Sequence, residues 1–246
     1  MITIVILAKD EEKNIKECIK TIDWADQIIL IDDSSTDRTK EIAEKLKAEV
    51  FTHSLNNDFA AQHNFGLEKA KNEWVLFIDA DERVSKELKE EILSAVNKKN
   101  NYDGFYLRRD DFFLGRWLKH GETSRFNALR LGKKNKGKWQ RQVHETWQIE
   151  GQLGQLKNHL KHYSHQTLSD FVKTINFYST LHARALAKEG VRFNLWRLII
   201  YPKGKFVDNY FLKGGFMDGI QGLIMSLMMS LHSFLSRAKL YKISSL

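Results

Sequence analysis

Trp74-Val75-Leu76-Phe77-Ile78-Asp79-Ala80-Asp81 is an unbroken apolar run closed by two carboxylates one residue apart. A short run with no polar residue in it suits a strand buried on both faces, as strands of parallel sheets are. Asp79 and Asp81 then stand just past the strand's carboxyl end. From there both can reach a single hard cation, magnesium or manganese, and leave positions open for phosphate oxygens. Asp-x-Asp pairs are common in turns, so the weight of this one comes from its surroundings.

The same construction recurs upstream. Gln27–Ile31 is a second apolar run and ends in Asp32-Asp33-Ser34-Ser35-Thr36-Asp37. A carboxylate there can accept from a base N–H or a ribose hydroxyl, or it can cap the helix that follows. Ile2–Leu7 is a third run. It has no basic leader and passes at once into Lys9-Asp10-Glu11-Glu12, so it reads as a buried first strand, and the cytoplasm is the expected compartment. Helical patterns fill the gaps: Glu12–Ile22, with Ile15, Cys18, Ile19 and Ile22 on one stripe, then Thr36–Lys47, Phe59–Lys71, and a helix capped by Ser85 that runs to about Asn97. A short strand is expected over Glu49–His53. Repeated strand and helix predict an α/β fold with a parallel sheet covered on both faces. Ligands of such sheets bind beyond the carboxyl ends of the strands, where Asp32, Asp33, Asp79 and Asp81 collect.

Composition sets the frame for the rest. The 246 residues are 42% hydrophobic and 28% charged, which excludes a disordered chain and allows one large domain with an appendage. A single cysteine, Cys18, excludes an internal disulfide and reads as core packing. The net charge of +8 is unevenly divided: residues 1–97 carry 13 Lys and Arg against 21 Asp and Glu, and residues 98–246 carry 26 against 10. An acidic first part suits a cation site, and a basic second part suits an anionic partner. In that second part Gly104–Arg108 and Asn127–Leu131 read as strands and Lys133–Lys138 as a basic loop. From Thr167 the pattern is helical, with Leu168, Phe171, Ile175, Tyr178, His182 and Ala185 three and four residues apart. Trp196, Tyr201, Phe206, Tyr210 and Phe211 then interleave with Arg197, Lys203, Lys205 and Lys213, ahead of an apolar stretch, Gly219–Leu235. Ile220–Leu235 is too short for a span and is broken by serine and His232, so the region is expected to dock on an anionic membrane surface. The expected organisation is one domain over 1–165, with an acidic half at 1–97 and a second half at 98–165, followed by a helical region at 166–246.

Three segments carry a resemblance. Ile4 to Ile15, Ile31-Asp-Asp-Ser-Ser-Thr-Asp37 and Phe77-Ile-Asp-Ala-Asp-Glu82 resemble, in order and spacing, the signatures of family 2 inverting glycosyltransferases, which have the GT-A fold. The resemblance implies a Rossmann-like nucleotide-sugar sheet in which Asp33, beside Asp32, contacts the nucleobase and Ala8 to Glu11 borders the same pocket. It places Asp79 on the ribose side and gives the metal–diphosphate to Asp79 and Asp81. One departure is the first loop, where Leu7-Ala8-Lys9-Asp10 replaces the usual Pro-x-Tyr-Asn.

Inverting transfer needs a base for the acceptor hydroxyl. Glu145, in Val143-His144-Glu145-Thr146, is one of ten acidic residues after position 97. Leu129-Arg130-Leu131 through Glu145 also resembles the lipopolysaccharide-core glucosyltransferase subgroup, which implies Glu145 as base with His144 supporting it or the diphosphate. His162 stands where a late histidine can complete the metal's ligand set in GT-A enzymes, with His159 and His165 as rivals. Arg125, Arg130 and Arg141 are candidates to neutralise the departing diphosphate or to grip an anionic acceptor. The implied reaction moves glucose from UDP-glucose to the inner-core heptose of lipopolysaccharide or lipooligosaccharide. The acceptor is lipid-linked, and the enzyme is peripheral on the inner face of the cytoplasmic membrane. Transfer to a polyprenyl phosphate or another envelope acceptor is the enzymatic alternative. A phosphoacceptor signalling domain would share the strand-end aspartates but not need the basic, aromatic second half, and no nucleic-acid motif accompanies the positive charge.

Overall fold

The computed structural model describes residues 1–56, 58–97, 101–141, 145–164 and 167–244. They form two compact units, one of residues 1–109 and 127–162, the other of 110–126 and 163–246.

The first unit begins with the predicted strand–helix alternation: β1 (Ile2–Ala8), α1 (Ile15–Lys20), β2 (Gln27–Asp32), α2 (Thr39–Lys45), β3 (Glu49–Thr52), α3 (Phe59–Lys69) and β4 (Trp74–Asp79). It continues through β5 (Glu82–Arg83) and α4 (Lys86–Asn97) to β6 (Tyr102–Phe113), whose far end belongs to the second unit. There β6 pairs with the two-residue β7 (Arg116–Trp117). The first unit resumes with β8 (Asn127–Lys133), β9 (Gly137–Gln140), β10 (Thr146–Ile149), β11 (Gln152–Gln155) and β12 (Leu160–His162). Its sheet runs β3-β2-β1-β4-β8-β6-β12-β5, with β11 beside β6.

The parallel sheet expected for residues 1–97 is present in β1 to β4. Beyond β4 the sheet is mixed, because β8 lies antiparallel to both β4 and β6. The parallel register fixes the site. Ala8 faces Asp32 and Leu7 faces Asp79, so three strands end at one level. Side chains lock that register at the opposite end, where Thr3 Oγ1 donates to Gln27 Oε1 at 2.8 Å in the core. Apolar strands take helices on both faces. Ile4, Ile6, Leu30, Leu76 and Ile78 pack with Ile15, Cys18, Leu88 and Ile92, and Val5, Ile29, Ile31, Val75 and Phe77 pack with Ala60 and Leu67. α3 approaches so closely that a Cβ on Gly66 would stand 2.7 Å from Val5 Cγ1. The hairpin β9–β10, which the basic-loop reading of Lys133–Lys138 did not anticipate, pairs Trp139 with Trp147 and lays both rings, buried, against Phe77.

The second unit is helical: α5 (Leu168–Lys188), α6 (Leu195–Val207) and α7 (Gly219–Ser244). Thr167 caps α5 by accepting from Asp170 N, and Asn194 caps α6. α7 packs along both α5 and α6. Ser226, Ser233 and Ser236 of α7 are buried, and Ser226 and Ser236 satisfy their hydroxyls on the carbonyls four residues earlier. The stretch Gly215–Ile243 is long and apolar enough to cross a membrane by length and composition. Within this unit it is the helix the other two pack against.

Candidate active site

The site is assembled at the common end of β1, β2 and β4. In the β1 loop Asp10 takes a left-handed conformation (φ 53°), as does Ser34 in the β2 loop (φ 56°). Side chains tie the two loops together: Asp10 N donates to Ser35 Oγ at 2.9 Å, and Asp10 Oδ1 accepts from Thr36 N at 2.7 Å. Asp33, between them, accepts from Leu55 N at 2.7 Å and pairs with Lys9 at 3.0 Å. Asp32 points inward and is fully buried. It accepts from Ser35 N at 3.1 Å, and one of its oxygens has no partner. Asp33 is therefore the more open of the two, while Asp32 holds the turn. The Ala8 carbonyl accepts from Asp33 N at 2.9 Å, so Ala8 acts here through its backbone.

Glu11 lies beside this loop. Burial pushes its carboxyl up to about 7, a bond from Asn14 opposes this, and the charges of Asp81, Asp79 and Asp37 add to it. The folded chain thus keeps a proton on Glu11 that the unfolded chain loses above its ordinary pKa of 4.5. Stability falls as pH rises from that value to about 7 and does not recover above it. Glu11→Gln is accordingly expected to be more stable than the parent near pH 8, by on the order of 2 kcal/mol, and equal to it near pH 4. Urea midpoints at the two pH values in EDTA check this.

The β4 end supplies the other carboxylates. Asp79 Oδ2 accepts from Arg130 of β8 at 3.1 Å, and Asp81 Oδ2 lies 3.1 Å from His162 Nε2. The β5–β12 pairing explains the second contact, because it sets His162 opposite Glu82 and so beside Asp81. Glu82 is buried. It accepts from Asp79 N at 2.9 Å, and Arg109 stands 3.7 Å from its other oxygen. Burial and the neighbouring Asp79 raise its pKa. Burial disfavours charge on Arg130, yet Asp79, Glu82 and Glu145 outweigh this and raise its pKa, so it is a fixed cation among three carboxyls. Glu145, half-buried just before β10, is in electrostatic reach of both Arg130 and Asp79; burial raises its carboxyl and Arg130 pulls it down.

Sequence reasoning singled out neither Glu82 nor Arg109, and it could not rank Arg130 above Arg125 and Arg141. A polar residue in each of these strands was the available signal, but which one turns to the site depends on register. Of the three histidines, His162 meets an aspartate; His165 lies outside the described residues, as does His144. Behind Asp79, buried His63 stacks on Trp139 at 3.9 Å, and burial lowers its pKa to about 4, so it stays neutral in the core.

Among the described residues no three His, Cys, Asp or Glu side chains converge as a complete metal cage. The donors fit a divalent cation all the same. Asp81 and His162 offer an oxygen and a nitrogen from one side, and magnesium and manganese are commonly held by one or two protein ligands with phosphate oxygens filling the rest.

Residues 3–150 match the family described as glycosyl transferase family 2. Over 244 residues the chain is 27% identical to the lipopolysaccharide core biosynthesis glycosyltransferase LpsC of Rhizobium meliloti, covering 96% of this chain and 90% of that one. An uncharacterised glycosyltransferase of Rickettsia typhi is 28% identical, with 99% and 87% covered. Among solved structures, S. aureus TarS 1-349 aligns with a TM-score of 0.52 at 13% identity, over 99% of this chain and 90% of that one. Glucosyl-3-phosphoglycerate synthase of Mycobacterium tuberculosis, solved with Mn2+, UDP and phosphoglyceric acid, aligns with a TM-score of 0.50 at 15% identity, over 78% and 79%. These two likenesses bear on the fold, and the family match covers more than half of the chain. The protein belongs to glycosyl transferase family 2 and is a glycosyltransferase of the GT-A fold.

Proposed function

We propose that this enzyme transfers glucose from UDP-glucose, with inversion, to the inner-core heptose of lipopolysaccharide or lipooligosaccharide at the inner face of the cytoplasmic membrane. The observation that carries the reaction is the gathering of Asp33, Asp79, Asp81 with His162, and Glu145 in one unit around the carboxyl ends of β1, β2 and β4. The name and coverage of the Rhizobium relative support the acceptor.

In this reading Asp33 accepts from the uracil or ribose, steadied by Lys9 and Leu55 N. Asp79, Asp81 and His162 would hold the divalent cation, with Asp79 also reaching the ribose side, and the cation would supply charge neutralisation for the diphosphate. Arg130 fixes the Asp79 carboxylate and adds a second positive charge toward the departing UDP. Glu145 takes the proton of the acceptor hydroxyl as its oxygen bonds to the anomeric carbon and the bond from that carbon to UDP breaks. His144 supports Glu145. Nucleotide release measured over a panel of UDP- and GDP-sugars, with manganese and with either core oligosaccharide or polyprenyl phosphate as acceptor, tests the assignment. UDP release with a hexose other than glucose, or only with polyprenyl phosphate, would replace the donor or the acceptor.

Residues 1–165 carry the chemistry in this proposal, and the helical remainder docks on the membrane. Trp196, Ile200 and Leu212 of the second unit are 72%, 57% and 74% exposed, an apolar display with no internal purpose. Not every nearby cation is available to lipid: Lys205 is engaged by Glu122 at 2.7 Å and Lys213 by Asp208 at 2.6 Å. Replacing Trp196 and Ile200 together with serine is expected to weaken binding to anionic liposomes about tenfold, since each exposed side chain is worth roughly 1.5–3 kcal/mol when fully buried and only part of that is realised in an interface. Sedimentation with the parent as reference checks it, and equal binding would remove α6 from the membrane contact.

A further inference from the structure

The turn between α5 and α6 passes through Gly190 (φ 77°) and closes, with the last turns of α7, a cavity of about 160 Å3. Arg192, Arg197 and Arg237 line it, together with Phe193 and Tyr201, and among the described residues no acidic side chain does. Arg237 is held rigidly. Its guanidinium lies 3.9 Å from the centre of the Tyr201 ring, and its Nη1 donates to the carbonyl and the hydroxyl of Ser233, both at 3.1 Å. Burial holds its pKa below the ordinary arginine value; Tyr201 opposes this, and the nearby Arg197 charge adds to it. Three cations around a small hollow repel one another; the Tyr201 ring and the Ser233 oxygens offset the charge of Arg237 only in part, and no described lining residue carries a negative charge to compensate the rest. A doubly hydrogen-bonded oxyanion does so, because the planar fork of a guanidinium matches two oxygens of a phosphate. The cavity is large enough to admit a phosphate group.

The surroundings select the source of that phosphate. Arg197 and Tyr201 face the cavity from α6, and next to them on the same helix Leu195, Trp196 and Ile200 are exposed to solvent. A soluble phosphate ester leaves that apolar side without a partner. A bilayer covers it, with Trp196 at headgroup depth and the phosphate level with the arginines. We propose that the Arg192–Arg197–Arg237 pocket binds the phosphate of an anionic phospholipid and thereby seats the apolar side of α6 in the membrane. The proposal rests on the membrane-surface reading above and gives it a defined headgroup site.

The full-length protein is to be sedimented with phosphatidylcholine vesicles and with vesicles containing a third phosphatidylglycerol, alongside Arg197→Gln, Arg197→Lys and a control, Arg184→Gln, which removes the same charge from α5 outside the cavity. Thermal melting of each variant confirms folding. The expected result is a loss of at least about tenfold in affinity for the anionic vesicles in Arg197→Gln, a partial loss in Arg197→Lys, and less than about threefold in Arg184→Gln. Equal losses in Arg197→Gln and Arg184→Gln would reduce the pocket to general surface charge and overturn the proposal. Failure of the parent to bind either vesicle would overturn the membrane reading itself. Calorimetry with inorganic phosphate separates the sources: binding of free phosphate as tight as vesicle binding would make this a soluble-phosphate site instead.

Discussion

Glu145→Gln is expected to lower turnover by at least about 10²-fold while leaving UDP-sugar affinity near that of the parent, the signature of a lost general base. Gln keeps the size and hydrogen bonding of the side chain and cannot take the acceptor's proton. Donor affinity is expected to be spared because, in the proposed reading, Asp33, Asp81 and His162 would reach the nucleotide and diphosphate from other parts of the site. The electrostatics add a pH test. Burial raises the Glu145 carboxyl and Arg130 restrains the rise, so the parent loses activity as pH falls through a pKa above the ordinary 4.5, where the base becomes protonated. In the variant that acid limb should disappear from the residual activity. Single-turnover rates and donor calorimetry together decide the matter. Near-normal turnover would move the base elsewhere, although Glu122 is already engaged by Lys205 and Asn209 and Asp111 is buried. Lost donor binding would mean instead that Glu145 helps to build the cation site.

Asp81→Asn is expected to abolish manganese-dependent UDP binding and transfer together, with activity down by about 10²-fold or more. The substitution removes the charge a hard cation requires, and it weakens the contact that holds His162 in place. The decisive comparison is UDP affinity with manganese and with EDTA. The parent should show a large difference and the variant almost none, at unchanged melting temperature. Wild-type activity across a manganese titration would end the assignment of Asp81 and His162 to the cation. His162→Ala should behave as a milder version, rescued in part by more manganese, since one ligand is removed and the carboxylate stays.

The amino-acid sequence by itself determined the alternation of β1 to β4 with their helices and the place of each aspartate at a strand end. Both are local: a buried strand is an unbroken apolar run, a helix repeats its apolar positions every three or four residues, and the chain must turn where small polar residues follow a strand. The common level of Asp32 and Asp79 follows almost directly, since parallel strands buried on both faces end together. What local pattern cannot carry is which distant residue completes the site. Arg130 meets Asp79 across 51 residues of chain, and His162 meets Asp81 across 81. Those meetings depend on an antiparallel β8 beside β4 and on a two-residue bridge between β5 and β12, neither of which leaves a period in the sequence. That Asp32 is buried while Asp33 stays partly open is likewise tertiary, because successive residues at a strand end point to opposite sides and only packing decides which side is solvent. The same holds in the helical unit. Three arginines 5 to 45 residues apart share one cavity only because α7 returns along α5 and α6.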